Sequence, residues 1–87
     1  MMTTQEILDA RESTHGNFED NSETAQDIKD IMRRAPNWKK LHPFQKECLE
    51  MIAHKIGRAL HGDHGFIDHW ADIAGYATKT AEILERR

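Results

Sequence analysis

Residues 43–60 read PFQKECLEMIAHKIGRAL and form the longest uninterrupted helical pattern in this chain of 87 residues. At about 100° per residue, its apolar side chains fall on one arc about 120° wide, which is typical of an amphipathic helix. The arc contains Cys48, Leu49, Ile52, Ile56, Ala59 and Leu60. On the opposite side lie Glu47, Glu50, His54 and Gly57. We therefore expect a second helix to pack against the arc.

Two helical patterns precede this stretch. Thr3 to Glu12 predicts a short first helix, and Thr3 with Glu6 fits a capping box. The polar run that follows contains the Gly16–Asn17 turn signal and is predicted to be a loop. A second helix, capped by Asn21 or Ser22, is then expected to run to about Arg34, before Pro36.

A last helical pattern covers residues 68–84, after a short loop with Gly62 and Gly65. A short loop makes antiparallel neighbours of the two helices it joins. No stretch alternates in the way a strand does. The sequence thus predicts an all-α fold: one domain over residues 1–87, a compact bundle of about four helices with the first one short.

Composition narrows the range of functions. The net charge is −3, from 15 acidic and 12 basic residues, which argues against a sequence-independent nucleic-acid binder. The single cysteine, Cys48, excludes an internal disulfide, and its place on the apolar arc predicts a buried, inert thiol. No membrane span or signal peptide is predicted, so we expect a cytoplasmic protein. Because a domain of this size buries only about 60–65% of its unfolded surface, we also expect a homo-oligomer.

The main candidate site lies where the last two helices would meet. Lys55 and Arg58 border the apolar arc of one helix, and Asp72 and Tyr76 border that of the other, with Asp68 one turn earlier. One interpretation is a recess that holds a phosphate on Lys55 and Arg58, or a cation on Asp68 and Asp72. The alternative is a half-buried network of ion pairs that fixes the register of the two helices, because charges buried at such a border need partners.

Glu47 and Glu50 form a second candidate site. They lie three residues apart and share one helical face. Paired carboxylates on a helix can hold Mg²⁺ with help from another helix. The alternative is an exposed, solvated face.

His61, His64 and His69, with Asp63 and Asp68 between them, form a third candidate site. Imidazole and carboxylate groups suit Zn²⁺ or Ni²⁺. The spacing matches no regular ligand motif, so polar loop residues plus one hydrogen-bonded core histidine are the alternative.

Arg11, Glu12 and His15, near the end of the first helix, form a fourth candidate site. Arg11 and Glu12 also fit ordinary surface charge. His15 precedes Gly16, which suggests a side chain that hydrogen-bonds back to the turn.

Several of these residues belong to one extended pattern. Its parts are Arg11-Glu12, His15-Gly16, Asn21, Met51 to Ile56 with Arg58, Asp68 to Trp70, and Asp72 to Ala77. This pattern resembles that of a family of small proteins encoded by bacteriophages and prophages, and the likeness covers most of the chain. Asn17 stands where that family usually has Asp, and Gly57 where it often has Ala.

More distantly, the pattern is similar to the all-α nucleotide pyrophosphohydrolases related to MazG, which are oligomeric and Mg²⁺-dependent. Glu47 and Glu50 echo their first acidic motif, whereas Asp68 and Asp72 are four residues apart rather than three. The resemblance implies a MazG-like helical core and a nucleotide ligand. It also implies a role in nucleotide metabolism or counter-defence in the cytoplasm of a phage host. The rival interpretation is a non-enzymatic module that binds a host protein.

Together these considerations give the predicted site residues. The ligand-binding set is Lys55, Arg58, Tyr76, Arg11 and His15. The metal-binding set is Asp68, Asp72, Glu47 and Glu50. Mg²⁺ is the candidate cofactor, and whether the protein is an enzyme stays open.

Overall fold

The computed structural model describes residues 1–87 and contains four α-helices, one 3₁₀ turn and no strand. The helices are α1 (Thr4–His15), α2 (Phe18–Arg34), α3 (Pro43–His61) and α4 (Ile67–Arg86), and the 3₁₀ turn is Trp38–Lys40. The prediction of an all-α bundle of about four helices, the first one short, is confirmed. No helix is long and apolar enough to cross a membrane.

The start of α1 is the predicted capping box. The Glu6 N–H donates to Thr3 Oγ1 at 3.1 Å, and the Thr3 N–H donates to Glu6 Oε1 at 3.4 Å. The helix continues three residues past the predicted end at Glu12. It stops at His15 because Gly16 adopts a φ of 81°, in the left-handed region that favours glycine.

The predicted cap of α2, Asn21 or Ser22, was wrong by four or five residues. The helix begins at Phe18, and Asn17 caps it by accepting a hydrogen bond from the Asp20 N–H at 3.2 Å. The predicted loop therefore shrinks to Gly16 and Asn17. Asn21, expected to be a cap, is instead a buried residue inside the helix.

Helix α3 lies at the centre and packs on α2 on one side and on α4 on the other. The expectation that Gly57 lies opposite the packed arc was therefore wrong. Gly57 is buried against α2, and a Cβ at this position would lie 2.9 Å from the Asn21 carbonyl oxygen. Leu49 and Leu60, from the predicted arc, are instead exposed.

The buried core is small and includes polar groups. Cys48 is buried, as predicted, and its thiol donates to the Tyr76 carbonyl oxygen at 3.4 Å. His69 is only 1% exposed, and its Nε2–H donates to the Thr14 carbonyl oxygen at 2.7 Å. The same oxygen accepts the Asp63 N–H at 2.9 Å. These two hydrogen bonds fix the end of α1 against α4 and the loop that precedes it.

Candidate functional site

Lys55 and Asp72 form an ion pair across α3 and α4, at the border where the sequence predicts that the two helices meet. Lys55 Nζ lies 3.0 Å from Asp72 Oδ2, and the Lys55 side chain is only 11% exposed. The hydrogen bond and positive charge of Lys55 hold the pKa of Asp72 below its usual value. Lys55 thus already has a carboxylate partner, as the register-fixing interpretation expects.

Arg58 lies one turn along the same flank of α3 and makes no ion pair with a carboxylate. Helix α1 places Arg11 near it, on the wall of the same recess of about 440 Å³ between α1, α2 and α3. The charged and polar residues on the wall are Arg11, Glu12, His15, Asn17, Asn21, His54 and Arg58. Glu12 is the one carboxylate among them, and it pairs with neither arginine. The recess therefore carries an excess of positive charge.

The pKa of Arg58 is lowered first by burial and second by this positive charge. The positive charge is that of Arg11, while Asp72 and Tyr76 act in the opposite direction. Like charges that approach one another raise the free energy of the charged state. An anion between the two guanidinium groups would remove this repulsion.

Two histidines on the wall have lowered pKa values for the same reason. Burial is the largest cause for both His15 and His54, and the charge of Arg58 is the next. Lys29 and Lys55 add to the effect at His54, and His69, Arg11 and Lys55 add to it at His15. Both rings are therefore neutral near pH 7, and each would gain a proton more readily with an anion in the recess.

Asn21 supplies a different group to the recess. Its side chain is buried, and Nδ2 donates to the His15 carbonyl oxygen at 2.6 Å, which fixes the orientation of the amide. Asn21 Oδ1 is buried and accepts no hydrogen bond from the protein. Buried polar atoms are rarely left without a partner, so Asn21 lines the recess with an amide whose buried oxygen is unsatisfied.

The structure brings together part of the predicted ligand-binding set. Arg11, His15 and Arg58 share the recess, and all three also border a second recess of about 390 Å³ on the α4 side. Tyr76 lines neither recess, and Lys79 Nζ lies 5.7 Å from the centre of its ring.

His54 and Asn21 are site residues that the sequence did not single out. His54 was placed on a solvated face with the two glutamates. The spacing offered a signal, because Arg58 lies four residues after His54 and the two share one side of α3. No such signal exists for Asn21, since only the true start of α2 shows that it faces inward.

The predicted metal-binding residues do not assemble. Glu50 accepts a hydrogen bond from Arg33 at 2.8 Å, Glu47 is exposed, and Asp68 and Asp72 border the second recess. No group of three or more His, Cys, Asp or Glu side chains is arranged to hold a metal ion. Mg²⁺ binding stays a prediction that this geometry does not support.

The histidine cluster does not assemble either. His61 Nε2 lies 2.7 Å from Thr24 Oγ1, and His69 Nε2 is engaged by the Thr14 carbonyl oxygen. His69 is thus the hydrogen-bonded core histidine of the alternative interpretation.

Comparisons with protein-family models, curated proteins and solved structures find no match for this chain. The resemblance to phage proteins and to MazG-like enzymes therefore stays a prediction. What can be inferred about function comes from the recess between α1, α2 and α3.

Proposed function

We propose that this protein binds a small phosphate-bearing ligand in the recess between α1, α2 and α3. One observation supports the proposal above all: Arg11 and Arg58 come from different helices, share one recess and have no carboxylate partner. The guanidinium group presents a planar fork of donors that matches phosphate oxygens. A phosphate between the two arginines would convert their repulsion into two attractive contacts.

The other polar groups suit the same ligand. His15 and His54 can donate to phosphate oxygens, and they do so more strongly once protonated. Lys55 takes no part, because its ammonium is held by Asp72. The predicted ligand-binding set is thereby reduced to Arg11, His15 and Arg58, with His54 added. We confine the proposal to binding and include no reaction.

A nucleotide is the ligand class that the phage-family resemblance implies. In this proposal the protein acts in nucleotide metabolism or counter-defence during infection.

Calorimetric titration tests the proposal. The panel consists of inorganic phosphate and nucleoside mono-, di- and triphosphates. We expect saturable binding of at least one of them to the wild-type chain. Arg58→Gln and Arg11→Gln should each weaken binding by about 10- to 100-fold, the usual effect of losing a hydrogen bond to a charged group.

Arg86→Gln serves as the matched control, because Arg86 is an exposed arginine in the last turn of α4. It should bind as the wild type does. Equal losses of affinity in all three variants would show non-specific charge attraction. If the wild-type chain binds no member of the panel, the proposal is contradicted.

A second candidate function is non-enzymatic binding to another protein. The observation that favours it is the exposure of large apolar side chains outside α4, among them Ile31 on α2 and Leu49 and Leu60 on α3. A protein-binding module needs no anion. A folded chain that binds none of the phosphates and nucleotides in the panel would therefore still be consistent with this second function.

A further inference from the structure

Helix α4 carries an apolar stripe that nothing in the chain covers. Its six residues recur at alternate spacings of three and four, the pattern of a coiled-coil seam. They are Ile67, Trp70, Ala74, Ala77, Ala81 and Leu84, and all six are exposed. The face that α4 packs against the bundle uses different residues: His69, Ile73, Tyr76, Thr80 and Ile83. The helix therefore has two apolar faces, of which the monomer uses one.

We propose that a second copy of this chain packs on this stripe, called here the α4 seam, to form a symmetric dimer with antiparallel α4 helices. A two-fold axis makes such an interface self-complementary. With the axis at the middle of the seam, Trp70 faces the partner subunit's Ala81, and Ala74 faces the partner subunit's Ala77. Ile67 then faces the partner subunit's Leu84.

The side-chain sizes support the antiparallel arrangement. The seam is bulky at both ends and contains only alanine at its centre and at Ala81. Antiparallel pairing places the largest side chain, Trp70, opposite a small one, which is how closely packed helices interdigitate. Parallel pairing would instead set Trp70 against the partner subunit's Trp70 and leave alanine facing alanine over half of the seam.

Trp70 is oriented to act as an anchor. Its indole N–H donates to the His64 carbonyl oxygen at 2.8 Å, which holds the ring while 56% of the residue stays exposed. Tryptophan is among the residues that dominate binding energy at protein interfaces. The loop that follows α3 thus fixes in advance the side chain that the partner would contact.

The surface area matches what a dimer requires. The chain exposes 6273 Å², whereas a compact monomer of 10.1 kDa exposes about 5,300 Å². The surplus of about 1,000 Å² is close to the ~800 Å² that each partner buries in a standard interface. The radius of gyration, 15.0 Å, likewise exceeds the ~12 Å typical of 87 residues. One interface per chain would bury most of the surplus area.

The α4 seam lies away from the recess. Around the α4 axis, Trp70 and Ala77 are about 140–160° from Asp72, which marks the α1 side. Dimerisation would therefore leave the recess open. Anion binding and dimerisation can each fail without the other.

Sedimentation equilibrium over a concentration series tests the dimer, with a predicted mass twice that of the 10.1 kDa chain. Ala77→Glu would place a carboxylate at the centre of the seam, and we expect it to shift the complex to monomer. Ala71→Glu is the matched control, because Ala71 is an exposed alanine on α4 about 120° from Ala77 around the axis. Far-UV circular dichroism checks that both variants stay helical.

A distance measurement tests the orientation without disturbing the seam. Nitroxide labels at Arg86→Cys, in a Cys48→Ala background, should lie about 30 Å apart in the antiparallel dimer and about 10 Å apart in a parallel one. This measurement decides the question even if Ala77→Glu fails to fold. A monomer at every concentration, a short label distance, or a folded Ala77→Glu variant that stays dimeric would each overturn the proposal.

Discussion

At the level of single residues, two cations one turn apart on α3 have different roles because of what they face. Lys55 is nearly buried and reaches a carboxylate at 3.0 Å, so its charge is neutralised inside the fold. Arg58 meets a second arginine instead, and its pKa falls through burial and through that charge. The sequence showed that both lie at the border of the apolar arc. It could not show that α1 delivers Arg11, because this depends on a contact between helices distant in sequence.

Gly57 gives a prediction at this level. Gly57→Ala should destabilise the fold by about 1–2 kcal/mol, because the added methyl group would lie 2.9 Å from the Asn21 carbonyl oxygen and push α2 from α3. Gly75→Ala is the matched control, with no atom within 4 Å of its Cβ position, and should stabilise by about 0.5–1 kcal/mol. Urea denaturation measures both. An equally stable or more stable Gly57→Ala variant would show that the α2–α3 contact is looser than described.

At the level of helices, the sequence predicted the starts of α1 and α3 to within one residue and gave either Asp63 or Asp68 as the start of α4, which begins at Ile67. These starts depend on local signals: Thr3, Pro43 and the glycine loop before α4. Each signal acts through a hydrogen bond or a fixed backbone angle within a few residues of the helix end. The start of α2 was missed because the Gly16–Asn17 turn is shorter than the polar composition around it suggests. The same error hid Asn21, which lies in the first turn of the true helix and lines the recess.

The cap of α2 gives a prediction at this level. Asn17→Ala should destabilise the protein by about 1 kcal/mol, because it removes the side-chain oxygen that accepts the Asp20 N–H. Asn37→Ala is the matched control, since Asn37 precedes the 3₁₀ turn without a side-chain capping hydrogen bond. Thermal unfolding compares the two. Equal effects would mean that α2 does not depend on its cap.

At the level of the whole molecule, helices α2, α3 and α4 present two different faces. Helix α1 covers one of these faces and thereby creates the basic recess. Polar contacts at the end of α1 hold the helix in place more than its side chains Ile7 and Leu8, which are exposed. The α4 seam is left uncovered. The periodicity of the sequence predicted the helices and the charges at their borders. It assigned one apolar arc to each helix, and from this neither the position of α1 nor the second apolar face of α4 can be deduced.

Anion binding in the recess also makes a prediction about pH. His15 and His54 have lowered pKa values in the free protein, and a bound phosphate would raise them by opposing the nearby arginine charges. Binding then takes up protons at these two rings, so the histidine contribution to phosphate affinity should rise as the pH falls from 7 toward 6. Phosphate itself loses negative charge over this range, which acts in the opposite direction, so the histidine contribution is measured as the difference between the wild type and a His15→Gln, His54→Gln variant.

The most direct test of the recess is a nuclear magnetic resonance titration of the histidine rings with and without inorganic phosphate. We expect phosphate to raise the pKa of His15 and His54 together. His42 and His64, which are exposed and lie outside the recess, serve as internal controls, and phosphate should leave their ring signals unchanged. Unaltered curves for His15 and His54, or equal shifts at all four rings, would contradict a phosphate site between α1, α2 and α3.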